Sequence, residues 1–420
     1  MRDCGGRLFN ARKDANMGKE TMKRRHFLQA AAATTAAFSI MRPSTALGSE
    51  ANSKVEIGMI GCGGRGKWIA DLFEKNAPAK IVAAHDYFRD RVNDVGEAFG
   101  IAPSLRYVGL DGYKALIAGK VDAIAIESPP YFHPEQTVAG LEAGKHVYLA
   151  KPIAVDVPGC LDIVEAADKA AGKLCCLVDF QTRNNEFFKG AAQRVHDGMI
   201  GTPALGHVFY HTGRLGLHAK PGTETARLRN WVFDKALSGD IIVEQNIHVI
   251  DVANWYLQTH PIKAAGTGGR KVRTDVGDCW DHFVVTFHYP DDVIVDFSSR
   301  QFGDGFDDLC IRLYGSTGTV ESHYGGDVKI RGSKAGWAGG NTGNIYQEGA
   351  VNNIKDFCQA VLEGKPIQNA RESADSTLSC ILGRMAAYSG EPVTWDNMLR
   401  TGERLDPKLN LPDDGPDQKA

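Results

Sequence analysis

The chain has 420 residues, of which 43% are hydrophobic and 24% charged, the composition of a folded globular protein rather than a disordered one. Its 48 basic and 51 acidic side chains leave a formal net charge of −3, and the basic excess lies in the first 48 residues, so the remaining body is acidic. An acidic body argues against nucleic-acid binding, and no uninterrupted apolar run is long enough for a membrane anchor. The nine cysteines show no paired spacing, so we expect neither a disulfide framework nor a metal site.

The first 48 residues have the pattern of an export leader. Arg24 and Arg25 precede an uncharged stretch over 30–41, and small residues follow. That order is typical of a secretory signal, and the paired arginines resemble a twin-arginine (Tat) signal. We therefore predict a leader over 1–48 and a mature protein that is exported folded to the periplasm or the medium.

A glycine-rich loop follows the first predicted strand, which spans residues 54–60. A helix is predicted directly after it, over 67–76. Between a strand and a helix, such glycines permit a tight turn, close approach of a pyrophosphate and close packing of the helix. The pattern predicts that a dinucleotide binds at Gly61, Gly63, Gly64, Arg65 and Gly66.

The second predicted strand ends at Asp86, 20 residues beyond Gly66. A carboxylate at this position binds ribose hydroxyls and repels a 2′-phosphate, so the sequence favours NAD over NADP. Arg89 lies close enough to blur that preference. A helix-capping role for Asp86 is the alternative.

Further predicted strands over 121–127 and 147–149 flank a predicted helix over 135–143. Strands that alternate with helices predict an α/β fold with a doubly wound parallel sheet. Ligands bind at the carboxyl ends of such strands. The sequence places Asp86, Ser128, Pro129, His133 and Lys151 at those ends, and we expect these residues to contact the cofactor.

The run ESPPYFHPEQTVAGLEAGKHVYLAKP, residues 127–152, resembles the Gfo/Idh/MocA family of NAD(P)-dependent sugar and polyol oxidoreductases. It matches the family's motifs at Pro129, Pro130, His133, Gly144, Lys145, His146, Lys151 and Pro152. It departs from them at Ala150, where the family's Glu-Lys-Pro motif has a glutamate. The similarity extends over roughly residues 54–400 and implies hydride transfer between nicotinamide and a carbohydrate hydroxyl.

The second half of the chain reads as several strands joined by short turns, which predicts an α+β domain with a mostly antiparallel open sheet. We place a dinucleotide-binding domain at 49–177 and a substrate-binding and oligomerisation domain at 178–420. Two C-terminal helices, over 351–362 and 373–388, are expected to pack back on the first domain. The glycine-rich stretch 332–346 is predicted to be a loop. An open sheet face would expose apolar area, so we expect a homo-oligomer formed through this sheet.

Four side chains recur at helical spacing in residues 238–255, namely Glu244, His248, Asp251 and Trp255. The resemblance implies that Glu244 and His248 take the positions of an active-site acid and histidine. Lys151 and His248 are the candidate bases for the hydroxyl proton, with Glu244 a weaker candidate. A buried structural histidine and a zinc site are the alternatives. Candidate sugar contacts are Gln181, Arg183, Asn184, Arg229, Asn230, Trp231 and Asp251.

Three functions remain open at this point. The first is an NAD-dependent oxidoreductase for a sugar, polyol or glycoside. The second is an NAD-dependent glycoside hydrolase that oxidises, eliminates, hydrates and re-reduces its substrate with a captive cofactor. The third is a nicotinamide-binding protein without catalysis, which the departures at Ala150 and Glu244 would suit.

Overall fold

The structure, a computed structural model, describes residues 54–402 and 404–416. The leader predicted over residues 1–48 lies outside the described residues. No helix among those described is both long enough and apolar enough to cross a membrane.

Six parallel strands form the first sheet, in the order β3-β2-β1-β4-β5-β6. They are β1 Val55–Ile60, β2 Ala79–Asp86, β3 Arg106–Val108, β4 Ala123–Ile126, β5 His146–Leu149 and β6 Cys176–Val178. The helices between them are α1 Gly64–Asn76, α2 Arg89–Ala98, α3 Gly112–Ala118, α4 His133–Glu142 and α5 Val157–Ala170. The strand order reverses between β1 and β4, which is where such sheets bind ligands. The α/β prediction is confirmed.

Both faces of this sheet are covered. The central strand β4 is fully buried, because its four residues alternate between the two faces and each face packs on helices. On one face Phe73 of α1 and Tyr148 of β5 meet edge to face, with ring centroids 5.1 Å apart. The short edge strand β3 was not predicted, because three half-buried residues carry no alternation signal.

Nine strands form the second sheet, in the order β14-β13-β12-β11-β7-β10-β9-β8-β15. They are β7 Pro203–Thr212, β8 Lys263–Gly269, β9 His282–His288, β10 Ile294–Gln301, β11 Asp308–Gly315, β12 Gly318–His323, β13 Asp327–Gly332, β14 Trp337–Asn341 and β15 Val393–Thr394. Among the pairs described, β7 and β10 run parallel and the others antiparallel. The mostly antiparallel sheet is confirmed.

The remaining helices are α6 Glu186–His196, α7 Glu224–Arg229, α8 Lys235–Ser238, α9 Ile241–Glu244, α10 Ile247–Leu257, α11 Ile345–Glu363, α12 Ala370–Ser389 and α13 Trp395–Thr401. Helix α11 packs on α1, with the Phe357 ring 6.3 Å from that of Phe73. Helix α12 lies against α5, α10 and β8.

Two local predictions were wrong. Residues 332–346 are not one loop, since they include edge strand β14. Its Gly339 has φ +59°, and a Cβ there would lie 1.7 Å from the carbonyl oxygen of Val328, so glycine permits this pairing. The helix expected through Glu244 and His248 is interrupted between α9 and α10, where the Asn246 N–H donates to the Ile241 carbonyl.

Candidate active site

A cavity of about 620 Å³ lies at the carboxyl ends of β1, β2, β4 and β5. Its other side is lined by Tyr210 of β7, by the segment that follows β7 and by α9. Its volume suits a cofactor and a small ligand. It brings together the predicted residues Gly61, Gly63, Gly64, Arg65, Gly66, Asp86, Ser128, Pro129, His133, Lys151, Trp231, Glu244 and His248.

The glycine loop has the geometry that a pyrophosphate requires. Gly61 has φ +91°, and a Cβ there would lie 2.5 Å from the backbone of Glu127. A Cβ on Gly66 would lie 1.9 Å from the Gly61 carbonyl oxygen, so glycine lets α1 approach the loop. Around Gly64 the space is open. Helix α1 begins at Gly64, three residues earlier than predicted, and its unpaired N–H groups favour an anion. The loop therefore fits a dinucleotide.

Asp86 ties the end of β2 to this loop. One carboxylate oxygen accepts from the Cys62 N–H at 2.8 Å and the other from the Phe88 N–H at 2.9 Å. Each oxygen keeps a lone pair for a ribose hydroxyl. Arg89 is exposed, whereas Arg91 lines the cavity beside Gly63. The basic side chain of this segment that lines the cavity is therefore Arg91, which was not singled out from the sequence.

The C-terminal segment 404–416 packs behind residues that line the cavity near Asp86. Its Leu409 and Leu411 pack on a cluster that includes Tyr87 and Phe88. The Leu110 N–H donates to the Asp413 carbonyl at 2.8 Å. Two of these residues, Tyr87 and Leu110, also line the cavity.

His133 is a buried link between the two loops that carry the site. One ring nitrogen lies 2.8 Å from the Ser128 carbonyl oxygen and the other 2.8 Å from that of Pro152. Burial lowers the pKa of His133 to about 4, so the ring is neutral at pH 7 and donates to one of the two. Its contacts position the Pro-Pro loop against the segment that holds Lys151.

Lys151 is held by Glu244. Its Nζ donates to the backbone carbonyl of Glu244 and lies 3.2 Å from that residue's Oε1. Both side chains are largely buried, at 10% and 14% exposed. An ammonium has three donors, so this pair leaves one for a ligand oxygen.

His248 lies in the first turn of α10 and lines the cavity. Burial lowers its pKa well below the ordinary value, and the charges of Lys151 and Arg65 lower it further. Its Nδ1 is buried and has no hydrogen-bond partner among the described residues. A neutral imidazole with a free nitrogen can take a proton at pH 7.

Five of the seven predicted sugar contacts lie outside the cavity, namely Gln181, Arg183, Asn184, Asn230 and Asp251. Arg229 lines the cavity, as Trp231 does. Arg183 pairs with the fully buried Asp251 at 2.8 Å, and Ser376 of α12 donates to the same carboxylate. Asn184 binds Asn353 and Asp356 of α11. The contacts of Arg183, Asn184 and Asp251 join α10, α11 and α12 around the turn that follows β6.

Other cavity residues were not singled out from the sequence, notably Tyr210, Gln245, Tyr346 and Glu127. Glu127 alone had a local signal, because it directly precedes Ser128 at a strand end. Among the described residues no cluster of three or more His, Cys, Asp or Glu could hold a metal ion.

A parallel sheet that presents its glycine loop to a neutral imidazole across one cavity is the arrangement of a dinucleotide-dependent oxidoreductase. Residues 55–179 match the description "Oxidoreductase family, NAD-binding Rossmann fold", and residues 188–321 match "GFO/IDH/MocA C-terminal domain". The two matches cover more than half of the sequence, and the chain belongs to the Gfo/Idh/MocA family of oxidoreductases.

Several relatives are named for polyol or sugar oxidation. Inositol 2-dehydrogenase of Acidothermus cellulolyticus is 29% identical over 268 residues, 63% of this chain and 72% of the relative. The enzyme of that name from Azotobacter vinelandii is 27% identical over 281 residues, 66% and 76% of the two chains. The structure of levoglucosan dehydrogenase with NADH and levoglucosan superposes with a TM-score of 0.67 at 16% identity, over 81% of this chain and 99% of that one. The apo scyllo-inositol dehydrogenase of Lactobacillus casei gives 0.66 at 18%, over 82% and 99%. At these identities, the two structures show a shared fold.

Proposed function

We propose that this chain is an NAD-dependent dehydrogenase that oxidises a ring hydroxyl of a polyol or sugar. The observation that carries this proposal is the neutral imidazole of His248, which lines the same cavity as the glycine loop. The names of the relatives support the substrate class, since they act on inositols and levoglucosan.

Oxidation of a carbinol removes a hydride from its carbon and a proton from its oxygen. NAD, when bound, supplies the hydride acceptor. Gly61, Gly63, Gly64 and Gly66 would hold its pyrophosphate and Asp86 its ribose hydroxyls, which favours NAD over NADP. The proton must be taken up by the chain itself.

His248 is the base that we assign to this proton. The sequence left Lys151 and His248 as alternative bases, and the hydrogen bonds of Lys151 distinguish the two roles. Lys151 already donates to Glu244, so its remaining N–H can donate to the substrate oxygen and stabilise the negative charge that develops there. His248 is neutral, so its ring has a basic nitrogen and no proton to lose first. Glu244 thus orients the lysine. Trp231 offers a flat apolar face to a ring substrate.

A panel of inositols and anhydro-sugars deuterated at the carbinol carbon tests this function. We expect one deuterium to move from a panel member to the cofactor, with one equivalent of deuterated NADH and one of ketone formed. Cleavage of a glycoside with no net NADH would instead favour the hydrolytic cycle. Binding of NAD without deuterium transfer or glycoside cleavage would favour a protein without catalysis.

We also propose that the mature protein is exported through the Tat route and acts in the periplasm or the medium. The support is the order of residues in the leader, with Arg24 and Arg25 before the apolar stretch. A fusion of residues 1–48 to a reporter that is active only after Tat export tests it, with Arg24→Lys/Arg25→Lys as the control. Export of both fusions alike would contradict the proposal.

We further propose a homo-oligomer through the outer face of the second sheet. Leu205 and Ile294 are register partners on β7 and β10, and both are exposed, as is Val284 on β9. Exposed apolar side chains on one sheet face favour burial against a second copy. Sedimentation of the protein and of a Val284→Glu variant tests this, and identical monomer masses would contradict it.

A further inference from the structure

Three neighbouring strands of the first sheet end in the same way around Ala150. Ile126 of β4 pairs with Leu149 of β5, and Leu149 pairs with Val178 of β6. The next residues along the three strands are Glu127, Ala150 and Asp179. In a parallel sheet in register, these side chains lie on one face, so the methyl group of Ala150 sits between two carboxylates.

Arg65 joins the two carboxylates. Its Nε donates to Glu127 at 2.9 Å, and a terminal nitrogen donates to Asp179 at 2.5 Å. Its other terminal nitrogen donates to the Tyr346 hydroxyl of α11 at 2.9 Å. The Arg65 guanidinium is therefore bound by these three residues, so its N–H groups are engaged within the protein.

The two acids differ in what they have left to bind. Asp179 also accepts from Asn353 at 2.7 Å and from Gln181 at 3.0 Å, so both of its oxygens are occupied. Glu127 uses Oε2 for Arg65, while its Oε1 is buried without a hydrogen-bond partner among the described residues. The Glu127 side chain is 0% exposed, yet the residue lines the cavity. A buried carboxylate oxygen without a partner is costly, and a ligand hydroxyl would remove that cost.

The charge state of Glu127 fits such a ligand. Burial and the charge of Asp179 together raise the pKa of Glu127 to about 7, although Arg65 and Lys151 oppose them. A hydrogen bond from a hydroxyl would stabilise the ionised form, which is the stronger acceptor.

We propose that Glu127 is a ligand-binding residue whose Oε1 accepts a hydrogen bond from a hydroxyl in the cavity, and that it supplies from β4 the carboxylate that Ala150 lacks on β5. The hydroxyl belongs to the nicotinamide ribose or to the polyol substrate, and both present the same donor. This inference rests on the proposed function, because it requires a dinucleotide and a polyol in this cavity.

Binding measurements on the full chain separate the two sources. Glu127→Gln keeps an oxygen for Arg65 and replaces the free acceptor by a donor. We expect the Kd for NAD, measured by titration calorimetry without substrate, to rise about tenfold if the ribose is the partner. If the substrate is the partner, that Kd stays constant and the KM for the polyol rises about tenfold at saturating NAD. Either result supports the proposal.

A second pair of variants tests whether the carboxylate of residue 127 takes the place of a carboxylate at position 150. Glu127→Ala should weaken the same binding step, and Glu127→Ala/Ala150→Glu should restore it, because residue 150 lies beside residue 127. Asp94→Asn, an exposed carboxylate on α2, is the control and should leave both constants unchanged. Thermal unfolding of each variant checks that it folds.

The outcomes are distinguishable. Unchanged Kd and KM in Glu127→Gln would overturn the role of Glu127. If the double variant binds no more tightly than Glu127→Ala, a carboxylate at position 150 cannot replace the one at 127, and that part of the proposal is overturned. A wild-type chain that binds no NAD at all would instead overturn the proposed function.

Discussion

Gly66→Ala should separate helix α1 from the glycine loop. The added Cβ would lie 1.9 Å from the carbonyl oxygen of Gly61 and 2.9 Å from its carbonyl carbon, and both are backbone atoms that cannot rotate away. Reaching an ordinary contact requires a displacement of about 1.5 Å. A misplacement of that size at the N–H groups of α1 should raise the Kd for NAD about 100-fold. Overpacking should also lower the free energy of unfolding by about 1–3 kcal/mol.

Asp71→Ala is the matched control, because Asp71 lies on the same helix α1 with its side chain 41% exposed and does not line the cavity. The Kd for NAD should stay within about threefold of the wild type. The free energy of unfolding in urea should change by no more than about 0.5 kcal/mol, since the ion pair with Lys75 is exposed. Calorimetric titration with NAD measures both variants. Wild-type affinity in Gly66→Ala, or the same loss in both variants, would refute the assignment of this loop.

Three further predictions concern the base, the C-terminal segment and the buried link. His248→Asn should lower kcat by about 10²–10⁴-fold and leave the Kd for NAD unchanged, so an equal loss in both would contradict a role in proton transfer. Removal of residues 405–416 uncovers the cluster that contains Tyr87, and should speed NAD dissociation in stopped-flow measurements; an unchanged rate would mean that the segment does not retain the cofactor. The folded pKa of His133, about 4, lies below its ordinary 6.5, so the unfolded chain binds a proton first as the pH falls. That linkage should remove about 3 kcal/mol of stability between pH 6.5 and 4, and the same pH slope in His133→Asn would contradict it.

The nucleotide-binding half of the site could be predicted because its signals are local. Gly61, Gly66 and Asp86 have roles set by a turn, a close approach and a strand end, all within 30 residues of sequence. Strand and helix alternation then fixed the fold class. The ends of β4 and β5 follow from the same pattern, and so did the placement of Ser128 and Lys151 in the cavity.

The substrate side could be predicted only in part, because its contacts depend on how distant segments pack. A helical spacing placed His248 and Asp251 together, but α10 turns Asp251 toward Arg183 and Ser376. Similarly, the interruption of the helix at Gln245 and Asn246 has no sequence signal, because nearly every residue in this stretch is buried.

The pairing of Glu127, Arg65 and Asp179 could not be predicted from sequence spacing. Glu127 lies 62 positions and Asp179 114 positions from Arg65 in the sequence. The three residues meet only because β4, β5 and β6 are neighbours in the sheet. The edge strand β14 was hidden for a different reason, since its glycines indicate a loop unless a partner strand supplies the hydrogen bonds.

The most direct test of this site is the cofactor content of the purified protein. The protein is denatured, the released small molecules are identified by mass spectrometry, and any cofactor-free protein is then titrated with NAD and NADP. We expect about one NAD or NADH per chain, either released on denaturation or taken up in the titration, with weaker binding of NADP because Asp86 opposes a 2′-phosphate. A chain that releases no dinucleotide and takes none up would contradict the dinucleotide site on which the proposed dehydrogenase depends.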